Sequence, residues 1–392
     1  LFWFFQDIQL VNYLFLQVNI TIIPKPSTNE KQTTVSAGFA DQQFPVRADL
    51  GDLHHPLTVF PTIASAIQAL NTQGIGNGAT FNVTAGHTES VTAPLILSES
   101  GKPGGWLVFQ KSGTGANPVI TRTDAGSVAT SVLAAQGDAV VILEGSDYVE
   151  FNAIDIAAGN SGIEYGYYLR KASGANGCKS VTIKNCNVTM TKAQYVAGII
   201  VSNNIATSAA NSAAGVAITD PAGRHENVII TGNTIGNVFT GILLRGGADP
   251  ASPYANYDQG AIIGQAGAGN TIQNFGGGGV ASTSYGIYSS YNANLTIGHN
   301  TIANAAGGGS NAASTIYGIY TPSGSTQSGG NLVIQNNNFT ISQGSTSALY
   351  GIYNALSCSS VTISENFFGT GAFASTSSSY LISNSSSTPN VN

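Results

Sequence analysis

Ionisable side chains are scarce in this chain, and their scarcity limits what it can do. Only 8% of its 392 residues are Asp, Glu, Lys or Arg, against about a quarter in an average globular protein. The net charge is −6 and no basic run occurs, which argues against nucleic acid as a partner because phosphate binding needs clustered cations. From Gln259 to Asn392 the charged residues reduce to Glu365, with His299 as the single histidine. Acid–base catalysis therefore has almost no groups to use in the last third of the chain.

Cysteine is rare as well. Cys178, Cys186 and Cys358 do not have the spacing of a metal site. We expect three small buried side chains at these positions, although a Cys178–Cys186 disulfide is compatible with the sequence. The sequence predicts no metal site and no cofactor.

A long apolar run occurs at the N-terminus. Residues 1–23 contain one charged residue, Asp7, and are long enough to span a membrane. Their several polar residues and the lack of a basic start leave three interpretations open: a damaged export signal, a membrane anchor, or an edge segment packed on the rest of the protein. We assign 1–55 to this segment and a polar linker, and expect membrane contact only through residues 1–23.

One amphipathic helix is indicated. Apolar residues recur at i, i+3, i+4 and i+7 from Ile63 to Leu70, and Gly74 is suited to end the helix. We assign this helix to a region covering 56–78. After it, short runs of β-branched and aromatic residues alternate with Gly, Ser, Asn and Asp, and no second helix is evident. The fold class is therefore all-β.

A repeat organises the strands. The sequence Tyr-Gly-Ile-Tyr begins at Tyr285 and returns 32 and then 33 residues later, at Tyr317 and Tyr350. An apolar-x-apolar-x-x-Asn-x-apolar motif follows each copy, and related units precede them. The asparagines of these units are Asn233, Asn270, Asn300, Asn337 and Asn366. A fixed motif with variable spacers predicts a solenoid, in which stacked coils bury a shared core.

We expect the asparagines to occupy equivalent tight bends, since Asn tolerates a left-handed backbone, and to hydrogen-bond to one another along the axis. At these residues the chain resembles the right-handed parallel β-helix proteins of the pectate-lyase-like kind. The resemblance covers roughly 79–368 and implies three sheets, an asparagine ladder at one corner and a helix that closes the N-terminal end. Other segments look like units of large secreted bacterial surface proteins, which implies an extracellular setting.

The family includes polysaccharide lyases and glycoside hydrolases, so a charged cluster is a candidate active site. Its members are Asp220, Arg224, His225, Glu226, Arg245, Asp249 and Asp258. They match no catalytic motif of the family. Either they form an acid–base or calcium site in a long insertion, or they are charges of a solvated loop that pair with one another; we favour the second interpretation.

The remaining candidates are tyrosines. Strand alternation places Ile287, Ile319 and Ile352 in the core and turns the residue after each of them outward. Those outward residues, with an equivalent from an earlier coil, are Tyr168, Tyr288, Tyr320 and Tyr353. We expect an exposed aromatic ladder, which either stabilises the sheet or binds a partner.

Two functions follow from these residues. The first is a non-catalytic rod that is secreted or lies on a bacterial cell surface, such as an adhesin, a fibre subunit or a carbohydrate-binding module. Its tyrosines would contact a glycan or a cell-surface partner, or would drive self-association into a filament. The second is a polysaccharide lyase or glycoside hydrolase with its site near Arg245–Asp258. The lack of ionisable groups in the second half favours the first. The Ser-rich stretch 369–392 is interpreted as a tail that serves as a linker.

Overall fold

The computed structural model describes residues 18–21, 59–126, 138–193, 195–207, 215–248, 255–276, 282–304, 314–322, 330–344, 346–356, 358–369, 374–375 and 377–386. Within them, three long sheets contain nearly all the strands, and each turn of the chain contributes one strand to each sheet in the order A, B, C. We call one such turn a coil. Every pairing inside sheets B and C is parallel, and each strand lies next to the equivalent strand of the next coil.

The strands have the following bounds. Sheet A contains Val59–Phe60, Val18–Thr21, Ala79–Thr84, Leu107–Ser112, Val149–Asn152, Val181–Lys184, Ile229–Thr231, Ile262–Ile263, Leu295–Gly298, Asn331–Gln335 and Ser360–Ser364. Sheet B contains Thr88–Val91, Val119–Arg122, Asp155–Ala158, Asn187–Thr189, Thr234–Val238, Thr271–Phe275, Thr301–Ala303, Asn338–Thr340 and Phe367–Phe368. Sheet C contains Leu95–Leu97, Ala139–Glu144, Tyr165–Arg170, Ala197–Ser202, Thr240–Arg245, Ser284–Ser290, Ile316–Thr321, Leu349–Asn354 and Ser379–Asn384. Two small parallel pairs join Asp258–Gln259 to Asn292–Ala293 and Ser342–Gln343 to Ala374–Ser375.

The repeat sets the register of this arrangement. Ile297 pairs with Ile334, and Ile334 pairs with Ile363, so each copy of the motif lies directly over the next. All three sheets turn their apolar positions toward one continuous interior, in which Phe109 stacks between Phe81 and Phe151 with ring centroids 4.5 and 4.9 Å apart. The chain is a right-handed parallel β-helix, and the fold predicted from the repeat is confirmed.

The predicted helix is present at the N-terminal end, over Ile63–Gln73. Thr62 and Ser65 form a capping box at its start, and the backbone N–H of Gly74 donates to Leu70 at its end. The buried carboxylate of Glu89, from the first strand of sheet B, accepts hydrogen bonds of 2.7 and 2.9 Å from the first two helical N–H groups. The carboxylate accepts from N–H groups that have no partner within the helix, and it lies at the positive end of the helix dipole. Both interactions tie the helix to the first coil.

Part of the apolar N-terminal segment is a strand near one end of sheet A. Val18–Thr21 runs antiparallel to Ala79–Thr84, the first strand of sheet A that belongs to a coil. Its other side pairs with Val59–Phe60, so these four residues lie between two strands of the sheet. Residues 1–17 and 22–58 lie outside the described residues. No helix in the described part of the chain is long and apolar enough to cross a bilayer.

The asparagines form a continuous hydrogen-bonded ladder. The side-chain oxygen of Asn337 accepts from both the backbone N–H and the side-chain amide of Asn300, at 3.0 Å each, and the same pair of bonds joins the other neighbours. Each Asn amide also donates to a backbone carbonyl, for example Asn337 to Ile297 at 3.0 Å. The members are Asn233, Asn270, Asn300, Asn337 and Asn366. The ladder therefore provides hydrogen-bond partners for side-chain amides that have little contact with water.

The left-handed backbone lies one residue earlier than we expected. The ladder asparagines do not have positive φ; the residue before four of the five does, with φ of 66° at Gly232, 60° at His299, 55° at Asn336 and 55° at Glu365. Those residues make the turn, so the following Asn is free to point inward and bond along the axis. The expectation that the ladder residues themselves adopt the left-handed conformation is wrong.

The solenoid continues beyond Phe368. The strand Ser379–Asn384 pairs in parallel with Leu349–Asn354 and adds a ninth strand to sheet C. The side-chain amide of Asn354 donates to Asn384 at 2.8 Å, which extends a second asparagine contact along the axis. For these residues the interpretation of 369–392 as a linker tail is wrong, because their alternating Tyr, Ile and Asn match the preceding coil.

All three cysteines are free and buried, so the Cys178–Cys186 disulfide is not formed. Cys178 and Cys186 lie in successive parts of one coil, and their thiols contact backbone carbonyl oxygens instead.

Replacement of Asn337 by alanine tests the ladder. The change removes the acceptor of Asn300 and the donors to Ile297 and Asn366, so we expect a loss of about 1–3 kcal/mol in the free energy of unfolding. Asn366→Ala should cost less, because Asn366 is only partly buried and ends the series. Chemical denaturation of both variants measures the difference; equal losses would contradict a ladder whose strength depends on neighbours on both sides.

Candidate functional site

The charged cluster surrounds the point where sheet C returns to sheet A. The structure brings together Asp258 and His225, places Arg224 and Glu226 next to His225, and leaves Asp249 outside the described residues. Arg245 ends a strand of sheet C and is only 6% exposed, beside the ring of Tyr288; burial lowers the pKa of its guanidinium.

A buried ion pair lies at the centre of this cluster. Asp258 accepts a hydrogen bond of 3.0 Å from the ammonium of Lys171 and one of 2.7 Å from the backbone N–H of His225, all through one carboxylate oxygen. Lys171 is fully buried and Asp258 is 2% exposed. Since a buried charge is stable only when it is paired, each of these two ions holds the other in place. Sequence reasoning missed Lys171, because 87 residues separate it from Asp258 and no motif connects them.

His225 is buried beside this pair with both ring nitrogens engaged. Its Nδ1 accepts from the backbone N–H of Cys178 at 3.0 Å, and its Nε2 lies 3.0 Å from the carbonyl oxygen of Ser202. These partners require a neutral ring protonated on Nε2. Burial and the nearby ammonium of Lys171 lower the pKa of His225 to about 4, although Asp258 acts in the opposite direction.

The outer members of the cluster have structural partners. Arg224 contacts Glu226 at 3.2 Å and also donates to the carbonyl oxygen of Ala255 at 2.7 Å. Asp220 caps the short 3₁₀ helix Pro221–Gly223 by accepting from the N–H of Ala222. Within the described part of the cluster, the ion pairs therefore include Arg224 with Glu226 and Lys171 with Asp258. No group of three or more His, Cys, Asp or Glu side chains with the geometry of a metal site occurs in the described part of the chain.

A small cavity adjoins the ion pair inside the solenoid. Its walls include the inward side chains of Val201 and Leu244 together with His225, Asp258 and Asn292. The second carboxylate oxygen of Asp258 is buried there without a protein hydrogen-bond partner. The lining residues are almost all buried, so a polysaccharide chain does not reach these groups. Asp258 and His225 are therefore too deeply buried to meet a large substrate as an acid and a base.

The tyrosine face lies on the outer side of sheet C and depends on a column of glycines. Gly286, Gly318 and Gly351 occupy one position in successive coils; a Cβ on Gly318 would approach the carbonyl oxygen of Gly351 to 2.5 Å and the ring of Phe339 to 2.7 Å. This inward position has no room for a side chain. The glycine and the isoleucine after it both face inward, so strand alternation is broken as it is at a bulge. As a result the two tyrosines of each Tyr-Gly-Ile-Tyr face outward together.

The outward rings form two columns that we call the tyrosine ladder. In the first column Tyr317 stacks on Tyr350 with centroids 4.8 Å apart, and Tyr350 stacks on Tyr380 at 4.7 Å, with planes within 15°. In the second, Tyr320 lies 5.2 Å from Tyr353 with planes 32° apart. The full set is Tyr285, Tyr317, Tyr350 and Tyr380 in the first column and Tyr288, Tyr320 and Tyr353 in the second. Strand alternation alone did not predict the first column; the recurrent glycine after its tyrosines is the signal that indicates it.

The ladder is less exposed than we expected. Tyr168 is fully buried and Tyr288 is 7% exposed, whereas Tyr320 and Tyr353 are half-buried and Tyr380, at the C-terminal end, is 44% exposed. Tyr168 lies in a covered outward cluster with Tyr165 and Ile200, and this cluster continues into the inner end of the ladder through Tyr288. The expectation of exposure is wrong for Tyr168 and Tyr288, because neighbouring rings and outward apolar residues cover them.

The C-terminal part of the ladder lies in a nearly uncharged part of the chain, whereas Arg245 lies beside Tyr288 at its inner end. Among residues 259–392 Glu365 is the single acidic residue and no Lys or Arg occurs. Burial raises the pKa of the Tyr288 and Tyr320 phenols, so both remain protonated at neutral pH and can donate hydrogen bonds. Ring faces in the first column are occupied by stacking, so solvent meets ring edges and hydroxyl groups.

No protein-family model and no curated protein sequence matches this chain. Solved structures do share its fold. An alginate lyase from Paenibacillus sp. str. FPU-7 is 15% identical over 82% of this chain and 97% of its own, with a TM-score of 0.39. A GH136 lacto-N-biosidase from Eubacterium ramulus is 11% identical over 83% of this chain and 64% of its own, with a TM-score of 0.45.

The Streptococcus pneumoniae surface protein and adhesin PfbA is also similar, at 12% identity over 84% of this chain and 94% of its own, with a TM-score of 0.32. Enzymes and an adhesin thus occur side by side among the similar structures. At these levels of identity the similarity concerns the parallel β-helix fold alone.

The neutral state of His225 makes the stability of the protein depend on pH. The unfolded chain accepts a proton at an ordinary histidine pKa of about 6.5, whereas the folded state accepts it only near pH 4. Stability from this group is therefore present above pH 6.5 and is lost as the pH falls toward 4, by on the order of 3 kcal/mol. We expect the difference in unfolding free energy between wild type and His225→Gln to shrink over this range. A difference that stays constant from pH 7 to pH 4 would contradict the assignment.

The glycine column can be tested by adding a methyl group. Gly318→Ala forces a Cβ against backbone and an aromatic ring, so we expect a loss of about 1–3 kcal/mol in unfolding free energy. Gly236→Ala is the matched control in sheet B, since the nearest atom to its Cβ is 3.5 Å away. Urea denaturation compares the two variants. If both unfold at the same denaturant concentration, the column does not require glycine.

Proposed function

We propose that this protein is a non-catalytic extracellular rod of a bacterial surface, and that the C-terminal part of the tyrosine ladder binds an uncharged glycan. The observation that carries the proposal is the repetition of one outward pair of tyrosines per coil in Tyr317, Tyr320, Tyr350 and Tyr353. A surface with the same chemistry at each step suits a ligand whose own units repeat. Polysaccharides are such ligands.

The chemistry of the surface favours neutral sugars. The region provides no cation for a carboxylate or sulfate group and almost no anion for a basic partner. Phenol hydroxyls donate to and accept from sugar hydroxyls, and apolar ring edges contact sugar C–H groups. Because stacking occupies the ring faces of the first column, the glycan would lie across ring edges and hydroxyls. Tyr380 ends the column and is its most exposed ring.

The state of the charged cluster supports the non-catalytic part of the proposal. Asp258 and Lys171 neutralise each other in the interior, and Glu226 is paired with Arg224. A glycosidase needs two carboxyl groups on either side of a bond in an accessible cleft. The described carboxylates of this cluster do not form such a pair, and the ladder contains no ionisable group other than phenols.

Removing three hydroxyls without removing the rings tests the binding surface. The variant Tyr320→Phe, Tyr350→Phe, Tyr353→Phe keeps the stacking but loses the hydrogen bonds to sugar. Each such bond contributes about 0.5–1.5 kcal/mol, so affinity for a neutral polysaccharide should fall at least about tenfold. Binding is measured on immobilised β-glucan, mannan and chitin fragments, with polyuronate as the charged comparison. Tyr148→Phe, a half-buried tyrosine outside the ladder, is the control and should bind like wild type.

Two outcomes would contradict the proposal. Unchanged binding by the triple variant would leave the ladder with a structural role only. Release of new sugar ends from any of these polysaccharides by the wild type, abolished by Arg245→Ala or Asp258→Ala, would favour the enzyme interpretation instead.

A further inference from the structure

The outermost rungs of the tyrosine ladder place two phenols in unusual proximity. Tyr350 and Tyr380 are register partners on the last two strands of sheet C. Their ring centroids are 4.7 Å apart and their planes differ by 9°. Because the two side chains leave equivalent positions of parallel strands, equivalent ring atoms face each other. The ring carbons next to the two hydroxyls are therefore neighbours, separated by about one coil spacing.

We propose that Tyr350 and Tyr380 are an oxidative modification site, at which a haem peroxidase and hydrogen peroxide join the two rings of one chain as dityrosine. The proposal rests on ring geometry and does not depend on the glycan. It requires a small movement of two side chains, one exposed and one half-buried, and no change in strand pairing.

The chemistry balances as follows. The oxidised peroxidase removes one electron and one proton from each phenol hydroxyl and leaves two phenoxyl radicals. The unpaired electrons, which are shared with the ring carbons beside the oxygens, combine in a carbon–carbon bond between the two rings. The hydrogens on those two carbons then move to the two oxygens and restore the phenols. Overall, two tyrosines and one hydrogen peroxide give one dityrosine and two waters.

Exposure selects this pair among the stacked tyrosines. Tyr380 is 44% exposed and is the outermost ring of the column, and Tyr350 is the ring that stacks on it; Tyr285 lies at the inner end of the column, where burial raises the pKa of its phenol. The oxidant therefore meets Tyr380 and Tyr350 first. Cys358, the cysteine of this end of the chain, is only 4% exposed, and burial raises the pKa of its thiol to about 12, so it competes poorly as a thiolate.

The cross-link would attach an outer strand of the described solenoid that has a single pairing partner. Ser379–Asn384 is the outermost strand of sheet C and pairs with a single neighbour, Leu349–Asn354. It carries two exposed apolar residues, Leu381 and Ile382. A covalent bond between residues 350 and 380 would close the chain between these strands and restrict its unfolded states, as a disulfide does. The strand would then separate less readily from the sheet.

The test oxidises the full chain at low concentration with horseradish-type peroxidase and hydrogen peroxide. We expect dityrosine fluorescence in the monomer band of a denaturing gel, an intact mass lower by two hydrogens, and a higher melting temperature. Tyr350→Phe and Tyr380→Phe preserve the ring stack and should each lose most of the monomer fluorescence and the rise in melting temperature. Tyr285→Phe, in the same column, is the matched control and should retain both.

Three results would overturn the proposal. One is the absence of dityrosine from the oxidised monomer. Another is its appearance only in cross-linked dimers, which would mean that the phenols couple between chains. The last is an equal loss of fluorescence in Tyr285→Phe and Tyr380→Phe, which would mean that oxidation spreads along the ladder without selecting the outer pair.

Discussion

Parallel pairing between equivalent strands, one coil apart, is the constraint on which the rest of this protein depends. It places each side chain about 4.8 Å from its copy in the next coil. Any residue that recurs at one position of the repeat must therefore be able to stack on itself. Like charges cannot do so without a large cost, which gives a physical reason for the low content of ionisable residues. Asparagine, isoleucine, phenylalanine and tyrosine can, and they occupy the columns.

Each column solves this problem in its own way. Asparagine has a donor and an acceptor in one side chain, so the ladder through Asn300 and Asn337 satisfies both at every step. Aromatic residues use offset stacking, inside at Phe109 and Phe151 and outside at Tyr317 and Tyr350. Glycine occupies the position where a carbonyl oxygen of the next coil comes too close for any Cβ. The buried ion pair of Lys171 and Asp258 joins two residues that belong to no column, so no repeat places like charges over each other there.

The features that the sequence could predict are those that repeat at a fixed spacing. The motif around Asn300 and Asn337 was sufficient for the fold, the register of Ile297 with Ile334 and the asparagine ladder. Features set by a single contact between distant residues could not be predicted. The Lys171–Asp258 pair is the clearest case, because neither residue belongs to a repeat.

Two other predictions, both about the tyrosines, were wrong because strand alternation alone does not determine the direction or the exposure of a side chain. Strict alternation assigned one outward tyrosine to each strand, but the glycine column breaks the alternation and adds Tyr285, Tyr317 and Tyr350. Alternation also predicts the side of the sheet to which a residue points, but not how much of its side chain is exposed. Tyr168 and Tyr288 point outward and are nevertheless covered by neighbours, which no periodicity of the chain itself reveals.

The coil spacing also determines how such a surface would gain affinity. A ligand without a repeat contacts the tyrosines of one or two coils and gains a few weak hydrogen bonds. A polymer aligned with the axis meets the same pair of phenols at successive coils, so each further unit binds as an intramolecular step. The rings are already ordered by stacking, for example Tyr350 between Tyr317 and Tyr380, so little side-chain entropy remains to be lost on binding. The interaction that stabilises the sheet thus also preorganises the surface.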